Sequence, residues 1–326
     1  MDTPLEPDIT FDEFSNQIRK HFTGQTYAAG LEYADGYVGK FPKQEPLLQY
    51  WRMCLAARLE NHHLTNQILE GVLSAGTWYG ETLLRDSPSL EPLQDDPEFK
   101  RLAEISLKMQ QNDPSDALPI LVVRPEGKCG QDDDPCPLLI FLHGNTDSAQ
   151  ANLEHWTAAA NNGWLAALPQ SSEVMWSGAY FWNEHASSAD EVAALYAQLP
   201  EQYNLDLQRT VLAGFSMGAE VALWMALSGR IPAKGFILLG PGGPFMDDIE
   251  EWEPLIEQAN GRGLRGVIIT GQADTTIPHK NIRDLVEKFN ANGIPCELEE
   301  HIDLEHEYPS NFEDRLVHAL EFIFEA

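Results

Sequence analysis

The segment VLAGFSMGAE, residues 211–220, places Ser216 between Gly214 and Gly218 at the end of an apolar run. This is the Gly-X-Ser-X-Gly pattern, in which a serine occupies a sharp turn between a strand and a helix. Residues with little or no side chain are needed two positions to either side, because the turn is tight. The flanking sequences TVLAGF and MGAEVALWMALSG predict that strand and that helix. We therefore interpret Ser216 as a nucleophile.

A serine nucleophile needs a general base, and the base needs a carboxylate that orients it. When such a serine lies at a strand end, the acid and then the histidine are expected at the ends of later strands. Asp274 follows the apolar run RGVIITG, and His306 lies in the loop after CELEEH. We predict that Ser216, Asp274 and His306 form a catalytic triad.

Other acidic residues and histidines are weaker candidates for these roles. Asp247 and Asp248 follow the preceding strand in GPGGPFMDD and are the alternative acids. His301 is the alternative base, although it is predicted to lie within a strand. His279 is predicted to begin an exposed helix, and the two histidines at 62–63 are predicted to lie on a solvated helix face.

Acyl transfer also needs hydrogen-bond donors for the oxyanion, each worth roughly 3 to 4 kcal/mol of transition-state stabilisation. The backbone N–H of Met217, next after the nucleophile, is one predicted donor. The other is the backbone N–H of Asn145, in the segment HGNTDS that follows the early strand PLLIFLH. His143 in the same segment is predicted to have a structural hydrogen-bonding role.

The elements that must position these residues alternate between short β-rich runs and helical patterns from Ala117 onward. Apolar strands separated by helices are typical of a mostly parallel sheet in an α/β domain. The predicted strands are ALPILVVRP, PLLIFLH, WLAALP, RTVLAGF, AKGFILLG, RGVIITG and PCELEEH. The aromatic-rich segment SEVMWSGAYFWNEH between the third and fourth of them is predicted to be a long loop.

The N-terminal part of the chain has a different pattern. Four segments have apolar residues at spacings of three and four, which indicates amphipathic helices in two antiparallel pairs. Similar positions recur after 34 or 35 residues, as in tetratricopeptide repeats, although an ordinary helical bundle fits equally well. We predict a helical domain over residues 1–112 and an α/β domain over residues 113–326.

Composition excludes several classes of partner. The chain has 326 residues, of which 21 are basic and 51 acidic, for a net charge of −30. This charge repels nucleic acids and anionic membranes. No run reaches the roughly 18 apolar residues of a membrane span, and the first residues lack a signal-peptide pattern, so we expect a cytoplasmic protein without membrane insertion.

The four cysteines are too few and too scattered for a disulfide framework or a zinc site. Cys129 and Cys136 bound the segment CGQDDDPC, which could close a small disulfide loop, but two free thiols is the preferred interpretation. The aspartates at 132–134 lack the spaced ligands of a calcium loop and are predicted to form a solvated turn.

The blocks LHGNTDS, LAGFSMGAEVAL, GQADTTIP and LEHEYP together resemble the phospholipase and carboxylesterase group of α/β-hydrolases, which includes acyl-protein thioesterases. The resemblance covers residues from about 118 to 326. It implies an α/β-hydrolase fold, a serine esterase or thioesterase acting on a small molecule, and the triad and oxyanion donors named above. It implies no metal or organic cofactor. The extra helical domain is a departure from the group and could pair subunits or bind a protein partner.

The resemblance also bears on the substrate pocket. In similar enzymes the loop before the nucleophile strand shapes the pocket, so Trp176, Tyr180 and Trp182 are candidates for lining it. Packing of the loop against the sheet is an equally good interpretation of these three aromatic residues.

Two alternative functions stay open: an oligopeptidase-type hydrolase of amides, and a helical-repeat binding protein in which the hydrolase domain is a scaffold.

Overall fold

The structure, a computed structural model, describes three stretches of the chain: 9–113, 119–130 and 134–325. The chain divides into two compact units. One comprises Met1–Ser115 with Val174–Gly178, and the other Asp116–Glu173 with Ala179–Ala326. The sequence prediction places the boundary three residues earlier. It does not anticipate that the short segment Val174–Gly178 groups with the helical unit.

The helical unit contains six α-helices within its described residues. They are α1 (Phe11–Thr23), α2 (Tyr27–Gly36), α3 (Glu45–Arg58), α4 (His62–Ser74), α5 (Glu81–Arg85) and α6 (Pro97–Gln111). The first four fall on the four predicted amphipathic segments. The five-residue helix α5 is not predicted, because it is too short to show a periodic pattern. Among the residues described, no helix combines the length and the apolar character that a membrane span requires.

Local sequence signals explain where the first helices begin and how they pack. Thr10 and Glu13 form a reciprocal capping box, in which the Thr10 hydroxyl accepts the Glu13 N–H at 3.2 Å and the Glu13 carboxylate accepts the Thr10 N–H at 2.9 Å. Phe14 is fully buried, and its ring lies 5.5 Å from that of Tyr33 and 5.1 Å from that of Tyr37. Aromatic packing between α1 and α2 therefore forms part of this unit's own core.

The described residues also contain nine β-strands. They are β1 (Ile120–Val123), β2 (Cys136–Leu142), β3 (Leu165–Pro169), β4 (Val174–Trp176), β5 (Ala179–Tyr180), β6 (Leu205–Phe215), β7 (Gly235–Leu239), β8 (Arg265–Gly271) and β9 (Cys296–His301). Seven of them form one sheet in the order β1-β3-β2-β6-β7-β8-β9. All pairs in this sheet are parallel except β1 with β3. These seven strands are the predicted ones, and the prediction of a mostly parallel α/β sheet is confirmed.

Helices cover both faces of this sheet. The α/β unit contains α7 (Ala149–Asn161), α8 (His185–Tyr196), α9 (Leu199–Gln202), α10 (Met217–Ser228), α11 (Pro244–Asp247), α12 (Glu253–Ala259), α13 (His279–Ala291) and α14 (Phe312–Phe324). Alternate residues of β2 enter different cores: Leu138 and Ile140 pack with α8, α10, α12 and α13, whereas Leu139 and Phe141 pack with α7 and α14. The central strands are apolar throughout because both of their faces are buried.

Cys129 and Cys136 are joined by a disulfide bond, with 5.3 Å between their Cα atoms. The preferred interpretation of two free thiols is therefore wrong. The cause is a backbone contact that sequence spacing does not reveal: Asn204 donates its N–H to the Cys129 carbonyl and accepts the N–H of Cys136, which draws both cysteines to the start of β2. Cys54 and Cys296 are free and buried.

The aspartates between the bridged cysteines lie mostly outside the described residues. Asp132 and Asp133 are not described, and Asp134 is exposed. Within the three described stretches, no group of His, Cys, Asp and Glu side chains is arranged to hold a metal ion.

Candidate active site

Ser216 occupies the turn between β6 and α10 in a backbone conformation that is unusual for a non-glycine residue. Its φ is 53° and its ψ is −124°. Its N–H donates to the Leu239 carbonyl at 3.0 Å, and its own carbonyl accepts the N–H of Ala219 at 3.0 Å. Such strain persists only where the surroundings impose it, and it clusters at functional sites.

The glycines around Ser216 are required by close backbone approach. A Cβ atom on Gly214 would lie 2.3 Å from the Gly218 carbonyl oxygen, and one on Gly218 would lie 2.2 Å from the His143 carbonyl oxygen. A Cβ on Gly144 would lie 3.3 Å from the Ser216 Cβ. The loop after β2 therefore packs directly against the serine turn, and only glycine fits at positions 214 and 218.

Asp274 and His306 form a close pair at the ends of β8 and β9. His306 Nδ1 lies 2.6 Å from Asp274 Oδ2, and Asp274 is 2% exposed. The other carboxylate oxygen accepts the backbone N–H and the hydroxyl of Thr276 at 2.8 and 2.6 Å. Burial raises the pKa of Asp274, but the hydrogen bonds and charge of His306 and Thr276 outweigh burial and leave this pKa below its ordinary value. The carboxylate is therefore ionised at neutral pH.

Two contacts place the His306 ring beside the serine turn. Gly240, directly after β7, has a φ of 46°, and a Cβ there would lie 3.2 Å from His306 Cε1. The ring of Phe215, the residue before Ser216, lies 4.7 Å from the His306 ring. The structure thus brings together the strand ends that carry Ser216, Asp274 and His306.

The alternative acids and bases lie elsewhere or have other contacts. Asp247 and Asp248 are exposed at the end of α11. His301 remains within β9. His279 is half-buried instead of exposed, because its Nε2 lies 2.7 Å from the backbone carbonyl of Asp274, and this corrects the sequence prediction. His279 therefore stabilises the turn that carries Asp274 through this contact with its backbone. The histidines at 62–63 lie at the start of α4 in the helical unit.

The backbone N–H groups of Asn145 and Met217 are the predicted oxyanion donors. Among the hydrogen bonds between described residues, none is donated by the backbone N–H of Asn145 or of Met217. Met217 is the first residue of α10, where a helix leaves its N–H groups without internal partners. The Asn145 side chain has a separate task, since its Oδ1 accepts the Trp182 N–H at 2.9 Å.

His143 lies fully buried beneath this loop and is held in one tautomer. Its Nδ1 donates to the Gly144 carbonyl at 2.8 Å, while Nε2 faces the side-chain amide of Gln170 at 2.9 Å and the Ser171 N–H at 3.2 Å. Burial lowers the pKa of His143 to about 4, so the ring is neutral at neutral pH. These contacts support the structural role that the sequence predicted.

The three aromatic candidates for a substrate pocket are buried and make packing contacts. Trp182 is 2% exposed, and its indole N–H donates to the His143 carbonyl at 2.7 Å. Tyr180 pairs through its backbone with Thr146 and Asp147. Trp176 belongs to the helical unit, where its ring meets that of Tyr79 edge-on at 6.3 Å. These contacts fit the packing interpretation, and lining of a substrate pocket stays a prediction.

A buried pair of side chains near the nucleophile is not predicted from the sequence. Glu220, in the first turns of α10, is fully buried, and its carboxylate lies 2.7 Å from His185 Nε2. It also accepts the backbone N–H groups of Phe245 and Met246 at 3.2 and 2.8 Å. The sequence signal for this contact is the single glutamate in the otherwise apolar stretch MGAEVALWMALS, because a buried carboxylate needs hydrogen-bond partners.

Replacement of Glu220 by Ala is expected to lower the free energy of unfolding by about 3 kcal/mol, because it leaves the His185 ring and the Phe245 N–H without their acceptor. Urea unfolding followed by circular dichroism measures this change. Glu257→Ala is the matched control, since Glu257 is an exposed helical glutamate and should shift stability by less than about 0.5 kcal/mol. Equal stability of the two variants would contradict the role of Glu220.

The parallel sheet, the covering helices and the serine turn define an α/β-hydrolase fold, as the sequence predicted. No family model matches the chain. A curated Bacillus subtilis (strain 168) protein named "Putative esterase YitV" is 23% identical over 175 residues, which are 50% of this chain and 62% of that protein. The aligned region thus spans less than two thirds of that relative.

Solved structures provide two further comparisons. An uncharacterised protein from Bacillus cereus ATCC 10987 aligns over 97% of this chain and 99% of its own, with a TM-score of 0.54 and 22% identity. An esterase from Thermogutta terrifontis, solved with propionate bound, aligns over 62% of this chain and 85% of its own, with a TM-score of 0.48 and 16% identity. The first of these likenesses concerns the fold, and it extends over both units of the chain.

Proposed function

We propose that this protein is a serine hydrolase that cleaves carboxylic esters or thioesters of small molecules through an acyl-enzyme intermediate. The observation that carries the proposal is the contact of Phe215, which precedes the strained Ser216, with the ring of His306, whose Nδ1 lies 2.6 Å from Asp274 Oδ2. The similarity to a Bacillus subtilis protein named as an esterase supports the same reaction class. This reaction needs no group beyond the side chains and backbone described.

In the proposed mechanism, His306 Nε2 accepts the Ser216 hydroxyl proton as Oγ attacks the substrate carbonyl. The 2.6 Å bond to Asp274 holds the Nδ1 proton of His306 and stabilises the imidazolium that forms. The proton then passes to the leaving alcohol or thiol. Water repeats the sequence against the acyl-enzyme and releases the carboxylic acid.

The oxyanion that forms in each step needs donors that are free before the reaction begins. The N–H groups of Met217 and Asn145 meet this requirement among the described residues. Fixed donors stabilise developing charge without reorganisation, which is why they are usually the largest electrostatic contribution to such a reaction. The contact of Gly144 with the serine turn keeps the Asn145 loop close to Ser216.

A fluorophosphonate probe tests the proposal on the unmodified protein. Phosphonylation of an activated serine is expected, and mass spectrometry of the digest should place the adduct on the peptide that contains Ser216. The same preparation should hydrolyse p-nitrophenyl acetate, and labelling should abolish that activity. Heat-denatured protein is the control and should not react. An adduct on another residue, or no adduct on active protein, would refute the assignment of the nucleophile.

A further inference from the structure

A chain of partly buried hydrogen bonds connects the loop that carries His306 with the loop that carries Asn145. The indole N–H of Trp156 donates to the Tyr308 hydroxyl at 3.0 Å, and that hydroxyl donates to Asn152 Oδ1 at 2.6 Å. Asn152 in turn donates through Nδ2 to Asp147 Oδ2 at 2.7 Å. The donor and acceptor of each of these three hydrogen bonds are fixed, because the indole at one end can only donate and the carboxylate at the other can only accept.

The protonation of Tyr308 fixes the direction at the centre of the chain. Burial raises the pKa of Tyr308 well above its ordinary value. The phenol therefore stays protonated and donates to Asn152 throughout the neutral range.

Tyr308 also contacts the nucleophile turn through its ring. This ring stacks on Phe215 at 5.4 Å with 12° between the planes, and on His155 at 3.9 Å with 8° between the planes. Phe215 precedes Ser216 and contacts the His306 ring. Tyr308 itself lies two residues after His306. One side chain therefore touches or is tethered to the segments that carry Ser216, His306 and Asn145.

At Asp147 the chain of hydrogen bonds reaches the loop that carries Asn145, the predicted oxyanion donor. Asp147 Oδ1 accepts the Ser148 N–H at 2.7 Å, and the Asp147 carbonyl accepts the Tyr180 N–H at 2.9 Å. Thr146, between Asn145 and Asp147, has a φ of 65° and donates its N–H to the Tyr180 carbonyl at 2.8 Å. Asp147 thus fixes the backbone two residues after Asn145.

We propose that Tyr308 is a positioning residue that sets the distance between the His306 base and the Asn145 oxyanion donor. It acts through Asn152 and Asp147 and makes no contact with the reacting atoms. The inference rests on the proposed serine-hydrolase function. Because catalysis depends on sub-ångström placement of base and donors, loosening this chain should slow the chemical step more than it weakens substrate binding.

The test is Tyr308→Phe, which removes the hydroxyl and keeps the ring that stacks on Phe215 and His155. We expect kcat for p-nitrophenyl acetate to fall about tenfold, with KM nearly unchanged, at a temperature well below the unfolding transition. Tyr196→Phe is the matched control, because Tyr196 is a partly buried tyrosine of the same unit that ends α8 close to Thr210, away from the site. Its kinetic constants should equal those of the wild type.

A second variant separates positioning from general stability. Asn152→Ala breaks the next link of the chain, so it should give the same selective loss of kcat, and the double variant should lose no more than Asn152→Ala alone. Additive losses of kcat, or a Tyr308→Phe variant that is less stable but has wild-type kcat, would overturn the inference. In either case fluorophosphonate labelling of Ser216 in the wild type would still stand, so failure here is distinguishable from failure of the proposed function. If Tyr308→Phe does not fold, the Asn152→Ala kinetics decide the question alone.

Discussion

Replacement of Ser216 by Ala is expected to lower kcat for ester hydrolysis by about 10⁶-fold, to a residual rate supplied by binding and the oxyanion donors. The hydroxyl oxygen is the atom that forms the acyl bond, so the two-step route is closed without it. The fold should be retained, because alanine removes one oxygen. The backbone bonds of position 216 to Leu239 and Ala219 do not involve the side chain. The measurement is steady-state hydrolysis of p-nitrophenyl acetate.

The matched control is Ser228→Ala. Ser228 ends the helix that Ser216 precedes, and its hydroxyl bonds only nearby backbone groups. This variant should keep wild-type kcat and KM. A Ser216→Ala protein with more than about one per cent of wild-type kcat would show that another residue is the nucleophile.

The architecture of the α/β unit was predictable because its signals are local and repeated. Each central strand is an apolar run bounded by glycine, proline or asparagine. Such runs, when helical segments separate them, indicate strands of a parallel sheet that are buried on both faces. The parallel order then places the carboxyl ends of β6, β8 and β9 at one edge of the sheet. This is why Ser216, Asp274 and His306 could be selected as a set from their positions in the chain.

Contacts between side chains distant in sequence were not predictable in this way. The aromatic character of Trp182 indicates equally a pocket wall or a packed core residue, and its bond to the His143 carbonyl has no signal in the sequence. Tyr308 and Trp156 are 152 residues apart, and neither has a periodic or motif signal for the bond between them. The disulfide of Cys129 and Cys136 depends on a third backbone segment at Asn204.

The helical unit shows the same division between local and distant information. Its first four helices follow from amphipathic periodicity and from caps such as Thr10 with Glu13. A backbone bond from the Gly80 N–H to the Met175 carbonyl at 2.7 Å links Val174–Gly178 to this unit. A Cβ on Gly80 would lie 2.0 Å from the Val174 carbonyl oxygen, so only glycine permits this approach. A single glycine in the sequence does not identify its distant partner.

Replacement of Asp274 by Asn is expected to lower kcat by about 10⁴-fold while leaving the nucleophile in place. The amide is isosteric with the carboxylate, but it carries no charge to stabilise the imidazolium. It can also turn an N–H toward His306 Nδ1, which selects the tautomer with the proton on Nε2. That tautomer cannot accept the Ser216 proton. The measurement is kcat for p-nitrophenyl acetate together with the rate of fluorophosphonate labelling, which should fall in parallel because both reactions need the same base.

Asp247→Asn provides the control, since Asp247 follows the neighbouring strand β7 and is exposed. It makes the same chemical change at the alternative acid and should leave both rates at the wild-type level. A large loss in Asp247→Asn with little loss in Asp274→Asn would transfer the role of the acid to the loop after β7. Equal and small effects in both variants would mean that His306 needs no carboxylate partner, and the 2.6 Å bond to Asp274 would then be structural only. The pair of variants therefore tests the identity of the acid independently of the nucleophile.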